Sequence, residues 1–175
     1  MPCKEKQPIL MSIFLLGFCQ WLQQLQWATA LRESSLAFPV IEGTHLLGLA
    51  FILGPVLMFD LRLSGLAWRE HAVSKIARIF VPYSIAGALL MFVTGILLFC
   101  AEAVKCYNSG WFRIKVVLLI VAGLNALYFH TKTQSTWAAW DNRPTPPPNA
   151  RMAGVLSMVF WAGVLLAGRW TAYNL

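Results

Sequence analysis

Charge is what this chain has least of. Asp, Glu, Lys and Arg supply 12% of the residues, against roughly 25% in a typical soluble domain, and that shortage excludes an ordinary solvated surface. Acidic residues are scarcest, 7 against 14 basic ones. The resulting net charge of +7 does not read as a nucleic-acid footprint, because Lys and Arg lie between apolar runs rather than on one polar face. Also missing are Cys-x-x-Cys, Cys-x-x-Cys-His and His-Glu-x-x-His runs and any Gly-rich phosphate loop, which excludes the commonest local signatures of metal, covalent haem and nucleotide sites. No catalytic residue is singled out, and the sequence leans away from an enzyme.

What the chain has is apolar length. Hydrophobic residues make up 58% of it and the mean hydropathy is +0.63. A helix crosses a hydrocarbon core about 30 Å thick with roughly 20 apolar residues, and such runs occur at about 36–61, 79–101, 111–130 and 152–170. The expected fold is therefore an all-α membrane protein with a four-transmembrane-helix bundle over 36–175. Connection 62–78 carries Arg62, Arg69, Lys75 and Arg78, and connection 132–151 carries Lys132, Arg143 and Arg151. The positive-inside rule makes both cytoplasmic and the C-terminus periplasmic, in a bacterial inner membrane. Within the second connection, the proline-rich piece 143–149 reads as an extended strap.

Segment 1–35 admits three readings. Lys4 and Lys6 precede a short apolar stretch, 9–22, which suits a signal peptide ending at Ala28-Thr29-Ala30. A fifth transmembrane helix would have to bury Gln23, Gln24 and Gln26. The favoured reading is an interfacial amphipathic helix, with Gln20, Gln23 and Gln24 on one face and Phe14, Phe18, Trp21, Leu22 and Leu25 on the other.

Ionisable residues inside spans are costly and so are functional candidates. Glu42, His45 and Asp60 share one stripe of the first span at 100° per residue. The third span carries Lys115, Asn125 and His130. Small or polar residues, Gly87 and Thr94 in the second span and Gly154, Ser157, Trp161 and Gly168 in the fourth, mark faces where helices approach closely. Two histidines suggest a bis-histidine haem, but His45 and His130 sit roughly 17 Å apart in depth at 1.5 Å per residue. His45 and Lys115 are better matched, since the Lys115 stem reaches back toward the level of His45. Candidate cofactor-binding residues are thus His45, Lys115, Glu42 and His130, with His45 also the candidate metal ligand. Glu42 either orients the His45 ring or makes a structural hydrogen bond one turn away. Asp60 and Arg62 read as a local ion pair, and Cys100 with Cys106 as a disulfide clamp across the connection between the second and third spans.

The motifs Arg32-Glu33-Ser34, Phe38-Pro39-x-x-Glu42-x-x-His45-Leu46-Leu47-Gly48, Phe59-Asp60-Leu61-Arg62-Leu63 and Gly168-Arg169 resemble an uncharacterised family of small bacterial four-helix inner-membrane proteins. That resemblance covers nearly the whole chain and brings no assigned reaction. More distantly, His45 together with Trp111-Phe112-Arg113-Ile114-Lys115 and Tyr128-Phe129-His130 is similar to the CopD copper-resistance and HemJ protoporphyrinogen-oxidase families. The HemJ likeness implies haem near a first-span histidine and a third-span lysine, which here are His45 and Lys115. No Met-rich or His-rich copper cluster is present.

The leading expectation is a b-type haem protein engaged in electron transfer, holding haem b through His45 and serving a quinone or a periplasmic redox protein. Two alternatives stay open: a non-catalytic accessory subunit of a larger membrane complex, and transport of copper or another small cation along Glu42, His45, Thr94, Asn125 and Asp60. The lipid bilayer is the expected partner in every case, and nucleic acid in none.

Overall fold

In lipid, a backbone must satisfy its own N–H and C=O groups, so long apolar runs fold as helices. The computed structural model describes residues 6–173, with side chains described from Ile13 onward except at 133–135, 138 and 172; Cys3 and Lys4 lie outside the described residues. Helices α1 (Lys6–Gln23), α2 (Gln26–Glu33), α3 (Ala37–Ser64), α4 (Val73–Ala101), α5 (Ala103–Asn108), α6 (Gly110–Tyr128) and α7 (Pro148–Tyr173) follow in order. A π turn (Phe129–Thr133) and a 3-10 turn (Gln134–Ala139) separate α6 from α7. Four helices, α3, α4, α6 and α7, are long and apolar enough to cross a membrane, whereas the described apolar part of α1, Ile13–Gln23, is not. The chain is a multi-pass membrane protein with four spans and a separate short N-terminal helix.

Two spans are longer than the hydropathy suggests. Helix α4 begins at Val73, not near Ile79, because a residue from the far connection caps it. The Asp141 carboxylate accepts from Ser74 N at 2.7 Å and from Ser74 Oγ at 2.6 Å, and its backbone carbonyl accepts from Val73 N at 3.2 Å. Those groups satisfy orphan N–H donors and place negative charge at the positive end of the helix dipole. Helix α7 begins at Pro148, a residue suited to a first helical position because no N–H is needed there. At the other end of the first connection, Gly65 closes α3 in the left-handed region, at φ 76°.

Helices α3 and α4 pack most extensively, followed by α6 with α7 and α3 with α7. The lateral order is therefore α4, α3, α7, α6, two antiparallel hairpins joined along one α3–α7 seam. Without a hydrophobic driving force between helices in lipid, close backbone approach carries much of this packing. A Cβ on Gly87 would stand 2.7 Å from Ile52 N and 3.0 Å from Gly48 O. One on Gly154 would stand 2.9 Å from Asp60 O. These glycines set the α3–α4 and α3–α7 crossings, as the small faces of the second and fourth spans implied.

At the end carrying the basic connections, Leu63, Val73, Phe129, Trp140, Ala150 and Ala153 form a buried core, with Phe59 and Trp137 against it. At the opposite end, α1 lies on α5 and on the end of α4. Gln23 Oε1 accepts from Val104 N at 3.0 Å, and Arg32 Nη1 reaches Ala101 O at 3.5 Å. The far side of α1 exposes Ile13, Phe14, Leu15, Phe18 and Trp21.

Replacing Gly87 with Val inserts side-chain atoms against the α3 backbone and should cost about 1–3 kcal/mol, as overpacking does. Thermal unfolding in detergent measures it; a variant as stable as the parent would mean that the Gly48–Gly87 crossing does not hold α3 to α4.

Candidate functional site

The structure separates the polar residues of the spans into two places. Near the α5 end, His45 on α3 is half-buried against α4, with Nδ1 2.8 Å from Thr94 Oγ1. The Thr94 hydroxyl has one hydrogen and donates it to Leu90 O at 2.6 Å. It must then accept from His45, so Nδ1 carries a ring proton and, in the neutral ring, Nε2 is left with a lone pair. Gly95 makes room for the ring: a Cβ there would stand 3.2 Å from His45 Cε1. Lys115 lies within electrostatic reach of His45 and lays its stem along Gly168 of α7. Glu42, one turn from His45, is exposed, and it is Thr94 rather than Glu42 that orients the ring.

His130 is not brought to this place. It lies exposed at the basic end, edge-on to Phe129 at 5.7 Å between ring centroids. The expected pairing of Asp60 with Arg62 is also absent. Arg62, fully buried, donates from Nε to His71 O at 2.7 Å and from Nη2 to Arg143 O at 3.0 Å, and its charge is felt by Asp141 rather than Asp60. Two residues apart on a helix, the side chains point about 160° away from each other at 100° per residue.

Asp60 faces the second place, a cavity of about 330 Å³ bounded by all four spans. Its walls are apolar: Ile52, Val56 and Phe59 from α3, Val81 and Ile85 from α4, Leu119 from α6, Phe129 from the π turn, and Trp161 from α7. Its polar groups are Asp60, Asn125, Ser157 and Ser84, with His130 also in the lining. Asp60 is 4% exposed. The Ser157 hydroxyl stands near the Asp60 carboxyl, and the Asp60 Oδ2 is buried with no hydrogen-bond partner among the described residues. Asn125 Nδ2 donates to Ala153 O at 2.9 Å, tying α6 to α7 beside the cavity.

The cavity exists because α4 and α6 diverge. They meet near the α5 end through stacked Phe99 and Phe112, 5.8 Å apart, and each packs mainly on a different neighbour. The gap between them has exposed rims, Ile85 at 56% and Leu119 at 37%, so in a bilayer it faces lipid. Asp60 and Asn125 were expected together only on a cation path running through Glu42, His45 and Thr94, and Ser157 only as part of a small helix-packing face. The depth matching that paired His45 with Lys115 would have placed all three toward the basic end.

The bundle defines a class, that of small four-span membrane proteins with a laterally open polar-bottomed cleft. The chain belongs to a family of unknown function (DUF6644), whose profile matches residues 37–174, the four spans together. No curated protein and no solved structure matches the chain.

Cys19, Cys100 and Cys106 are free, buried thiols, so the clamp expected between Cys100 and Cys106 is not formed. Cys106 sits on α5 and has Cys19 of α1 within electrostatic reach. Burial pushes the Cys106 thiol up to about 11. Because the thiolate is the reactive form, alkylation of Cys106 by a maleimide should be slow at pH 8, quicken as pH rises toward 11, and become fast once the chain is denatured. Mass mapping of the labelled peptides checks this; rapid labelling of Cys106 in the folded protein at pH 8 would contradict its burial.

Proposed function

We propose that this protein binds a lipophilic small molecule that enters sideways from the bilayer, between α4 and α6, into the cleft above Asp60. The observation that carries the reading is the union of an apolar-walled cavity, open on its lipid side, with a buried carboxyl whose Oδ2 has no partner among the described residues. Ligand sites are typically cavities of about 300–1,000 Å³ with mostly apolar walls and a few convergent polar groups, and intramembrane ionisable residues mark function by default.

Gly123 lines the cleft, and a Cβ added there meets open space. Gly123→Phe should therefore fill the cleft without disturbing the helices. Organic extraction of purified protein, followed by mass spectrometry, should find a lipophilic compound retained by the parent and lost from the variant. Identical extracts from the two proteins would overturn the reading.

A second reading, haem b held through His45, is favoured by one observation: the Thr94 hydroxyl fixes the ring so that Nε2, the nitrogen a haem iron would take, has no hydrogen-bond partner among the described residues. Lys115 supplies a nearby cation for a propionate, and the resemblance to the HemJ family points to the same two residues. The residues present fit this group only in part. Helices α3 and α4 close together at Gly48 and Gly87 one turn away, and His130, the other histidine of the spans, lies at the basic end. Haem-replete expression should give a Soret band that His45→Ala removes; a colourless parent protein sinks this reading and leaves the cleft untouched.

A further inference from the structure

The proposal of a lipophilic ligand leaves its head group unspecified, and the charges around the cleft narrow it. Among the lining residues there is one carboxyl, Asp60, and neither Lys nor Arg. The nearest arginine in sequence, Arg62, is fully buried in the opposite direction on the carbonyls of His71 and Arg143. The Ser157 hydroxyl stands near the Asp60 carboxyl, and Oδ2 is buried without a partner among the described residues. An uncompensated carboxylate in an apolar interior is among the costliest arrangements a protein can hold, unless a cation or hydrogen-bond donor completes it or a proton neutralises it.

The remaining polar groups, Ser84, Ser157, Asn125, His130 and the Trp161 indole N–H, mix acceptors with donors. The Ser84 hydroxyl hydrogen is given to Phe80 O at 3.3 Å. One N–H of Asn125 is given to Ala153 O, which leaves its second N–H and its side-chain oxygen available. A phosphate or carboxylate head would find no Lys or Arg in the cleft to neutralise it. A bare inorganic cation would want about six oxygen ligands, whereas this cavity is walled mainly by aliphatic and aromatic side chains. Among those are Phe59, Phe129 and Trp161, aromatic residues of the kind that attract organic cations.

Resting on the cleft reading, we infer that the occupant is a lipophilic amine, its ammonium donating to the Asp60 carboxyl and its hydrocarbon part lying along the α4–α6 opening. The charge comes from the ligand and the counter-charge from α3. No bond is made or broken, so the arrangement is recognition alone.

The test uses the full chain in lipid nanodiscs and three radiolabelled probes of one shape: an alkylbenzylamine, the corresponding alkylbenzyl alcohol and the alkylbenzene. The amine should bind at least tenfold tighter than the alcohol, and the hydrocarbon weakest. Asp60→Asn should abolish that preference, Asp60→Glu should restore part of it, and Gly123→Phe should weaken all three probes. The comparison of amine with alcohol on the parent protein needs no variant, so a misfolded Asp60→Asn does not blunt it. Equal binding of amine and alcohol, still weakened by Gly123→Phe, overturns the amine assignment and leaves the cleft as a site for neutral molecules. Absence of binding by every probe overturns both.

Discussion

One guanidinium holds the basic end of this bundle together. Arg62 is fully buried and donates from Nε and Nη2 to two backbone carbonyls, His71 O and Arg143 O, that belong to different connections, while its Nη1 is buried with no hydrogen-bond partner among the described residues. Carbonyls outside regular structure must find donors once buried, and Arg62 provides them from the last turn of α3. Asp141 sits in the second connection and is the nearby charge felt by Arg62. By capping α4 through Ser74, it carries the same tie back to the first connection. A basic connection that reads as a topology signal is thus also a packed polar core, in which two hydrogen bonds and the nearby Asp141 carboxylate meet part of the buried charge.

Fixing that end has a consequence in the middle of the membrane. Arg62 and the core around Leu63 hold α3 centrally, and the glycine crossings bring α4 to one side of it and α7 to the other. Helix α6 then packs on α7, which leaves α4 and α6 apart except where Phe99 meets Phe112. The cleft is therefore a product of pairwise helix choices: helices that share a neighbour need not share a contact. Asp60 opens into it because it lies on α3 between the two hairpins, where Ser157 but no cation meets it.

Much of the fold was legible in the sequence, since span number follows from apolar length alone. The small faces were legible too: Gly87 and Gly154 stand where backbones touch, and only small residues allow that. Span ends were less so. The start of α4 depends on Asp141, 67 positions away, and no local pattern announces such a cap. The site was legible by halves. His45 and Lys115 were correctly brought to one end of the bundle by depth, but the orienting hydroxyl of Thr94 arrives from another helix and replaces the local Glu42. Asp60 was misassigned to Arg62 because nearness in sequence was taken for nearness in space, whereas residues two apart on a helix face away from each other. A cavity, finally, is made by the absence of contact between α4 and α6, and hydropathy records only what each helix is made of.

The joining of two hairpins along a single line has a mechanical meaning. With α3–α4 as one plate and α6–α7 as the other, the α3–α7 seam at Gly154 acts as the spine of a half-open book. Any change in the width of the mouth resolves into rotation about that spine. The stacked phenyl rings at one end and the basic core at the other fix how far the covers can turn, so the aperture is limited by its ends and not by its lips.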